Sequence, residues 1–266
     1  MKRKKFPKIG LALGSGGAKG LSHIGVIKEL EKNNIPIFCI AGSSIGSLVG
    51  GVYATKRDIY EMEKEVLGTN WKKLFSLIDP VFKEGLIGGN KVKKFIERYT
   101  QKKNFDELEV KFSVVATELR KGRAVIINKG DVATAIRASI SFPLLFEPVK
   151  IRGKVLSDGG LAIPVPVSVA KEMGAEIVIA VNLDGDYFNE EKNHRKVNLY
   201  QTANNSLNIL RYHLALSNIR EADLVVSPKI GDVKWSKFAD GKDVVLSGEE
   251  AMKKKMRKLR EIIKKS

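Results

Sequence analysis

At 266 residues the chain is near the upper size of one hydrophobic core, and a 43% hydrophobic composition is enough to fill it. No Pro/Ser-rich linker, low-complexity run or repeat divides it, Cys39 is the only cysteine and excludes an intrachain disulfide, and no apolar run reaches the ~18 residues of a membrane span. The net charge of +17, from 47 Lys and Arg against 30 Asp and Glu, calls for anionic surroundings.

A basic tail, residues 1–8, opens the chain. With the apolar run after it, Met1-Lys-Arg-Lys-Lys5 imitates a secretion signal, but Pro7 and the glycines spoil the pattern, so a cytoplasmic protein is expected. Ile9–Leu13 then reads as a short strand entering Gly14-Ser15-Gly16-Gly17-Ala18-Lys19-Gly20, with helical spacing after it. Strand, glycine turn and helix together expose successive backbone N–H groups at a helix N-terminus, which is the chemistry of an anion cradle. A Walker A loop fails because Gly20 and Leu21 follow Lys19, and a dinucleotide fingerprint fits badly because Lys19 stands at its third glycine. An oxyanion loop fits best.

The apolar run 35–41 leads into Gly42-Ser43-Ser44-Ile45-Gly46, a G-x-S-x-G string before a second helical stretch. One reading is a small-residue turn packing helix on strand. The other is a nucleophile elbow, in which Gly42 and Gly46 make room, Ser44 presents its hydroxyl, and the Ile45 amide donates to a developing oxyanion. Further on, the strand-like 151–156 ends at Asp158-Gly159-Gly160, where two glycines let the backbone turn away while the carboxylate faces a neighbour. An ordinary turn is the competing reading. The histidines are His23, His194 and His213, and none lies in a sharp local motif.

Strands are expected near 9–13, 35–41, 111–117, 123–128, 151–156, 176–182 and 223–227, alternating with helices near 20–33, 45–54, 90–100, 131–139, 165–173 and 200–218. That rhythm predicts an α/β fold in layers. Trp71-Lys-Lys-Leu-Phe75, with Leu77 and Ile78, reads as a flap over the site or as core. Two segments are amphipathic and basic. In 90–100, Val92, Phe95, Ile96 and Tyr99 share a face; in 248–265, Met252, Met256, Leu259, Ile262 and Ile263 form a stripe beside Lys253, Lys254, Lys255, Arg257, Lys258, Arg260, Lys264 and Lys265. Each stripe either packs on the domain, the favoured reading, or touches a membrane. No zinc-finger, helix-turn-helix or RNP signature accompanies the charge, so nucleic acid is not an expected partner and anionic lipid is.

Together and in this order, the glycine loop, G-x-S-x-G and D-G-G resemble the patatin-like phospholipase family, over Ile9 to about Leu183. Ala116-Thr-Glu-Leu119 and Ala138-Ser-Ile-Ser-Phe-Pro143 are similar to segments of its bacterial members. Departures are Ser15 in place of a first glycine and Lys19 in place of arginine. The resemblance implies a three-layer α/β fold with a central, mostly parallel sheet flanked by helices. The domain is expected over 9–247, with a basic amphipathic helix over 248–266. It implies a lipid acyl hydrolase working through a Ser-Asp dyad, Ser44 with Asp158, and an oxyanion hole at Gly16, Gly17 and Ile45. Gly14, Gly20, Gly42, Gly46, Gly159 and Gly160 are its motif glycines, and no cofactor or metal is called for. Two other functions compete: a nucleotide-binding oxidoreductase using the 14–20 loop, and a catalytically silent regulator on this scaffold.

Overall fold

The computed structural model describes residues 6–68, 90–185, 198–230 and 241–266. The Trp71–Ile78 flap segment and His194 lie outside the described residues. One sheet contains β1 (Ile9–Leu13), β2 (Ile37–Ser43), β3 (Lys111–Glu118), β4 (Arg123–Ile127), β5 (Val149–Ile151), β6 (Lys154–Ser157), β7 (Ile177–Val181) and β8 (Leu224–Val226). Its order is β5-β6-β3-β2-β1-β7-β8, with β4 also paired to β3. From β3 through β8 the pairings are parallel, and β4, β5 and β6 add the antiparallel ones.

The strands of the parallel region are buried on both faces, which is why β1 and β7 read as unbroken apolar runs. Alternation still sorts side chains by size. Ile9, Leu11, Leu13, Ile177, Ile179 and Val181 enter the larger core, while Ala12, Val178 and Ala180 face the smaller one. Helices α1 (Ser22–Lys32), α2 (Ile45–Lys56), α3 (Ile59–Gly68), α4 (Asn90–Tyr99) and α5 (Val132–Ser139) contribute to the larger core. On the other face lie α6 (Val167–Glu172) and, through Ala215, α7 (Leu199–Asn218). The long α8 (Gly241–Lys265) closes the larger core against α1. The result is three layers, helix, sheet and helix.

Three local outcomes differ from the expected elements. The strand expected over 151–156 is the hairpin β5–β6, because Arg152 and Gly153 both have left-handed backbones, φ 47° and 75°, and turn the chain in two residues. Helix α3 was not anticipated, although Ile59, Met62 and Val66 recur at helical spacing and are buried. The helix expected from 248 begins by Gly241. Both amphipathic stripes face the domain: Val92, Ile96, Met252, Met256 and Leu259 are buried. Among the described residues no helix is long and apolar enough to cross a membrane.

Where α1 and α8 cross, glycine lets backbone meet backbone. A β-carbon on Gly25 would lie 1.9 Å from the Val245 carbonyl oxygen, and one on Gly248 would lie 1.9 Å from that of Ser22. Lys28 reinforces the contact, pairing with Glu249 at 2.8 Å and with Glu63 of α3 at 2.7 Å. Gly25→Ala or Gly248→Ala should therefore lower the unfolding free energy by about 1–3 kcal/mol, outweighing the ~1 kcal/mol that alanine adds in helix propensity. Urea denaturation measures this; a gain in stability in both variants would show that the two helices are not held at this distance.

Candidate active site

The register of β3 explains why two residues 114 positions apart in sequence meet. One edge of β3 is taken along Val114–Glu118 by β4. The other edge is shared. The parallel β2 pairs with it as far as Ser43 opposite Val115, and the antiparallel β6 resumes at Ser157 opposite Thr117. The strands approach head-on, and the next residue of each, Ser44 and Asp158, abuts the gap at Ala116. Ser44 Oγ donates to Asp158 Oδ2 at 2.6 Å.

Ser44 occupies the turn between β2 and α2 with φ 52° and ψ −123°, a conformation that a residue with a β-carbon rarely adopts. Two neighbours make the turn sterically possible. A β-carbon on Gly42 would lie 2.5 Å from Ser47 Cα, and one on Gly46 would lie 2.1 Å from the Leu13 carbonyl oxygen. The elbow is anchored by Ser44 N, which donates to Ser139 Oγ at 2.9 Å, and by the Ser44 carbonyl, which accepts from Ser47 Oγ at 2.6 Å.

Asp158 is buried. Its Oδ1 accepts from Gly160 N at 2.7 Å, its backbone N donates to Ser141 O at 3.0 Å, and its carbonyl accepts from Thr117 Oγ1 at 2.7 Å. Burial pushes the carboxyl up to about 6, against the opposing pull of the Ser44 hydroxyl, the Gly160 amide and the Arg211 charge. Arg211 reaches from α7 to clamp Asp184 beyond β7, with Nε 3.0 Å from Oδ2 and Nη2 2.8 Å from Oδ1. Behind the aspartate, Arg137 Nη1 donates to Ser141 Oγ at 2.6 Å, and Ser157 Oγ donates to Ser141 O at 2.7 Å.

The loop after β1 lies against the same elbow. Gly17 begins a 3-10 turn over Gly17–Leu21 with a left-handed φ of 58°, and a β-carbon on Gly16 would lie 2.6 Å from Leu183 Cβ. The first amides of a helical turn have no carbonyl behind them to bond, so Gly17 N and, at the start of α2, Ile45 N are oriented donors. Gly20 packs on Ile45, where an added β-carbon would come within 2.0 Å of Ile45 Cγ1. Gly14 N donates to Val181 O at 3.1 Å and Ser15 N to Pro164 O at 2.9 Å, fixing the loop's base. Gly159 lies on Val115, an added β-carbon falling 2.3 Å from its carbonyl oxygen.

Neither described histidine hydrogen-bonds Ser44 or Asp158. His213 is exposed on α7 with its ring edge-on to Tyr212, and His23 is wholly buried with Nε2 2.9 Å from the Gly14 carbonyl oxygen. Sequence motifs do not reveal Thr117, Ser139, Ser141 and Arg137 as supports. The signal was the pair of segments 116–119 and 138–143, whose hydroxyls turn out to hold the elbow and the aspartate.

The family profile described as patatin-like phospholipase matches residues 11–171. A Mycobacterium tuberculosis protein named as an uncharacterized NTE family protein is 36% identical over 180 residues, 67% of this chain and 50% of that protein. Lysophospholipase NTE1 of Candida albicans is 34% identical over 181 residues, 66% of this chain and 13% of its own. The chain thus spans at most half the length of these relatives. Among solved structures, VipD from Legionella pneumophila superposes with a TM-score of 0.60 at 12% identity, covering 94% of this chain and 67% of VipD. ExoU, in its complex with SpcU from Pseudomonas aeruginosa, superposes with a TM-score of 0.51 at 16% identity, covering 96% of this chain and 53% of that one. These two share the fold. With the profile covering more than half of its residues, the chain belongs to the patatin-like phospholipase family.

Proposed function

We propose that the chain is a serine acyl hydrolase that cleaves carboxylic esters of acyl lipids, with Ser44 as nucleophile and Asp158 as general base. The observation that carries this reading is the 2.6 Å hydrogen bond from Ser44 Oγ to a buried Asp158 carboxylate. As Oγ attacks the ester carbonyl, its proton passes to Asp158 Oδ2. The resulting oxyanion is met by the amides of Gly16, Gly17 and Ile45. Collapse expels the alcohol, which takes the proton from Asp158 and leaves an acyl ester on Ser44. Water, deprotonated by the same carboxylate, then attacks the acyl carbon, and Asp158 returns that proton to Ser44 Oγ as the acyl–Oγ bond breaks and the fatty acid leaves. Desolvation makes this carboxylate a stronger base than a free one at ~3.9 and so suits it to the role. The relative named as a lysophospholipase supports a lipid substrate.

A fluorophosphonate probe should add one adduct at Ser44. Ser44→Ala should abolish labelling and ester hydrolysis, and Asp158→Asn should remove nearly all turnover, while His213→Ala keeps full activity. Intact-protein mass and turnover measure these outcomes. A large loss in folded His213→Ala would make the base a histidine.

Because Asp158 must be ionised to accept the proton, kcat/KM should fall as pH drops through about 6. Stability should run the other way. A carboxyl whose folded pKa is raised stabilises the fold fully below the unfolded ~3.9, and that stability is lost as pH rises through about 6. Asp158→Asn should accordingly be more stable than the parent at pH 8 by up to about 3 kcal/mol, a gain that vanishes near pH 4. Paired urea titrations at the two pH values test the sign; a variant less stable at pH 8 would contradict a strained, desolvated carboxylate.

Gly16→Ala should lower kcat by about 100-fold or more with little effect on KM, because Leu183 would push the loop's amides off the oxyanion. Steady-state kinetics on a soluble ester decide it, and unchanged kcat would remove this loop from the mechanism.

A further inference from the structure

His23 takes no part in the chemistry above, yet it is the most enclosed histidine among the described residues, with no exposed surface at the start of α1. Its Nε2 lies 2.9 Å from the Gly14 carbonyl oxygen. A carbonyl can only accept, so this contact requires the tautomer with its proton on Nε2. The other nitrogen, Nδ1, is then a bare acceptor, and it is buried with no hydrogen-bond partner. Burial also pushes the imidazole down to about 4, so the ring is neutral under ordinary conditions. A buried polar atom without a partner disfavours the fold, and an apolar side chain of the same volume would avoid that cost. The bond at Nε2 is what the imidazole provides and a leucine would not.

The Gly14 carbonyl it holds is a joint between the two halves of the site. That oxygen would lie 2.8 Å from a β-carbon on Gly46, so it touches the elbow closely on one side while the imidazole holds it from another. The same peptide unit continues to Ser15 N, tied to Pro164 O at 2.9 Å, and then to Gly16 and Gly17. Loss of the imidazole's proton would free one end of that unit and leave its carbonyl buried without a donor. The peptide would then be free to tilt, carrying the next two amides with it.

We infer that His23 is a positioning residue for the oxyanion loop: its Nε2–H, bonded to Gly14 O, sets the distance between the Gly16 and Gly17 amides and Ser44. The inference rests on the acyl-hydrolase reading. It assigns to this histidine an effect on turnover without any role in proton transfer.

Two substitutions of similar size separate donor from bulk. His23→Gln places an amide N–H near the position of Nε2, whereas His23→Leu fills the space with no donor. His23→Leu should lower kcat by about 10- to 100-fold with KM changed less than about twofold, and should slow fluorophosphonate labelling of Ser44 in proportion. His23→Gln should recover most of both. Independently of whether the variants fold, nitrogen NMR of histidine-labelled parent protein should show His23 as the Nε2–H tautomer, with no titration between pH 5 and 8. Full kcat in folded His23→Leu, equal losses in both variants, or an Nδ1–H tautomer would each overturn the inference. A parent protein with no ester hydrolysis would instead defeat the hydrolase reading on which the inference rests.

Discussion

The site depends on one edge of one strand being used twice. β3 offers β2 its first half in parallel and β6 its second half antiparallel, with the changeover at Ala116. Strands approaching head-on cannot both continue, so each must leave the sheet, and the departing residues are Ser44 and Asp158. The glycines follow from that geometry. Gly42 and Gly46 allow a tight exit from β2, and Gly159 allows the exit from β6 to lie on the Val115 carbonyl. A ligand at this gap is at the carboxyl ends of parallel strands, where open α/β sheets place their crevices.

Meeting there has an energetic cost that the surroundings offset. Ser44 has a left-handed backbone and Asp158 has lost its water, and each feature disfavours the fold in which it is found. The compensation is a ring of short polar contacts: Thr117 and Ser141 hold the aspartate's main chain, Gly160 shares its carboxylate, and Ser139 holds the nitrogen of Ser44. Arg137 bonds Ser141 and so braces this ring from α5. Inside a protein such a network is stiff because each member left unpaired would be costly. Rigidity of this kind lets a carboxylate of raised proton affinity stay within 2.6 Å of its hydroxyl without collapsing onto other donors.

Much of this is legible in the amino-acid sequence, and the reasons are physical. Glycine is informative where backbones touch, and the glycine strings at 14–20, 42–46 and 159–160 mark the three loops that the fold gathers. Unbroken apolar runs marked the strands of the parallel region because both of its faces are buried. Less legible were features decided by tertiary pairing. Nothing local announces that Arg152 will take a left-handed backbone and split the expected strand into β5 and β6. Thr117 and Ser139 carry ordinary hydroxyls, and their importance comes from what lies opposite them. His23 carries no local signal, because what sets it apart is the Gly14 carbonyl lying against it.

The charge distribution follows from the same folding logic. In α8 the inward residues Met252, Met256 and Leu259 are spent on packing against the domain, which leaves Lys253, Lys254, Lys255, Arg257, Lys258 and Arg260 exposed on the outer side. A helix built this way presents charge and no hydrophobic stripe. If it meets an anionic lipid surface, the attraction is long-range and falls with ionic strength over a Debye length of about 8–10 Å, instead of depending on insertion of apolar residues. Contact of that sort concentrates a protein near its substrate without anchoring it.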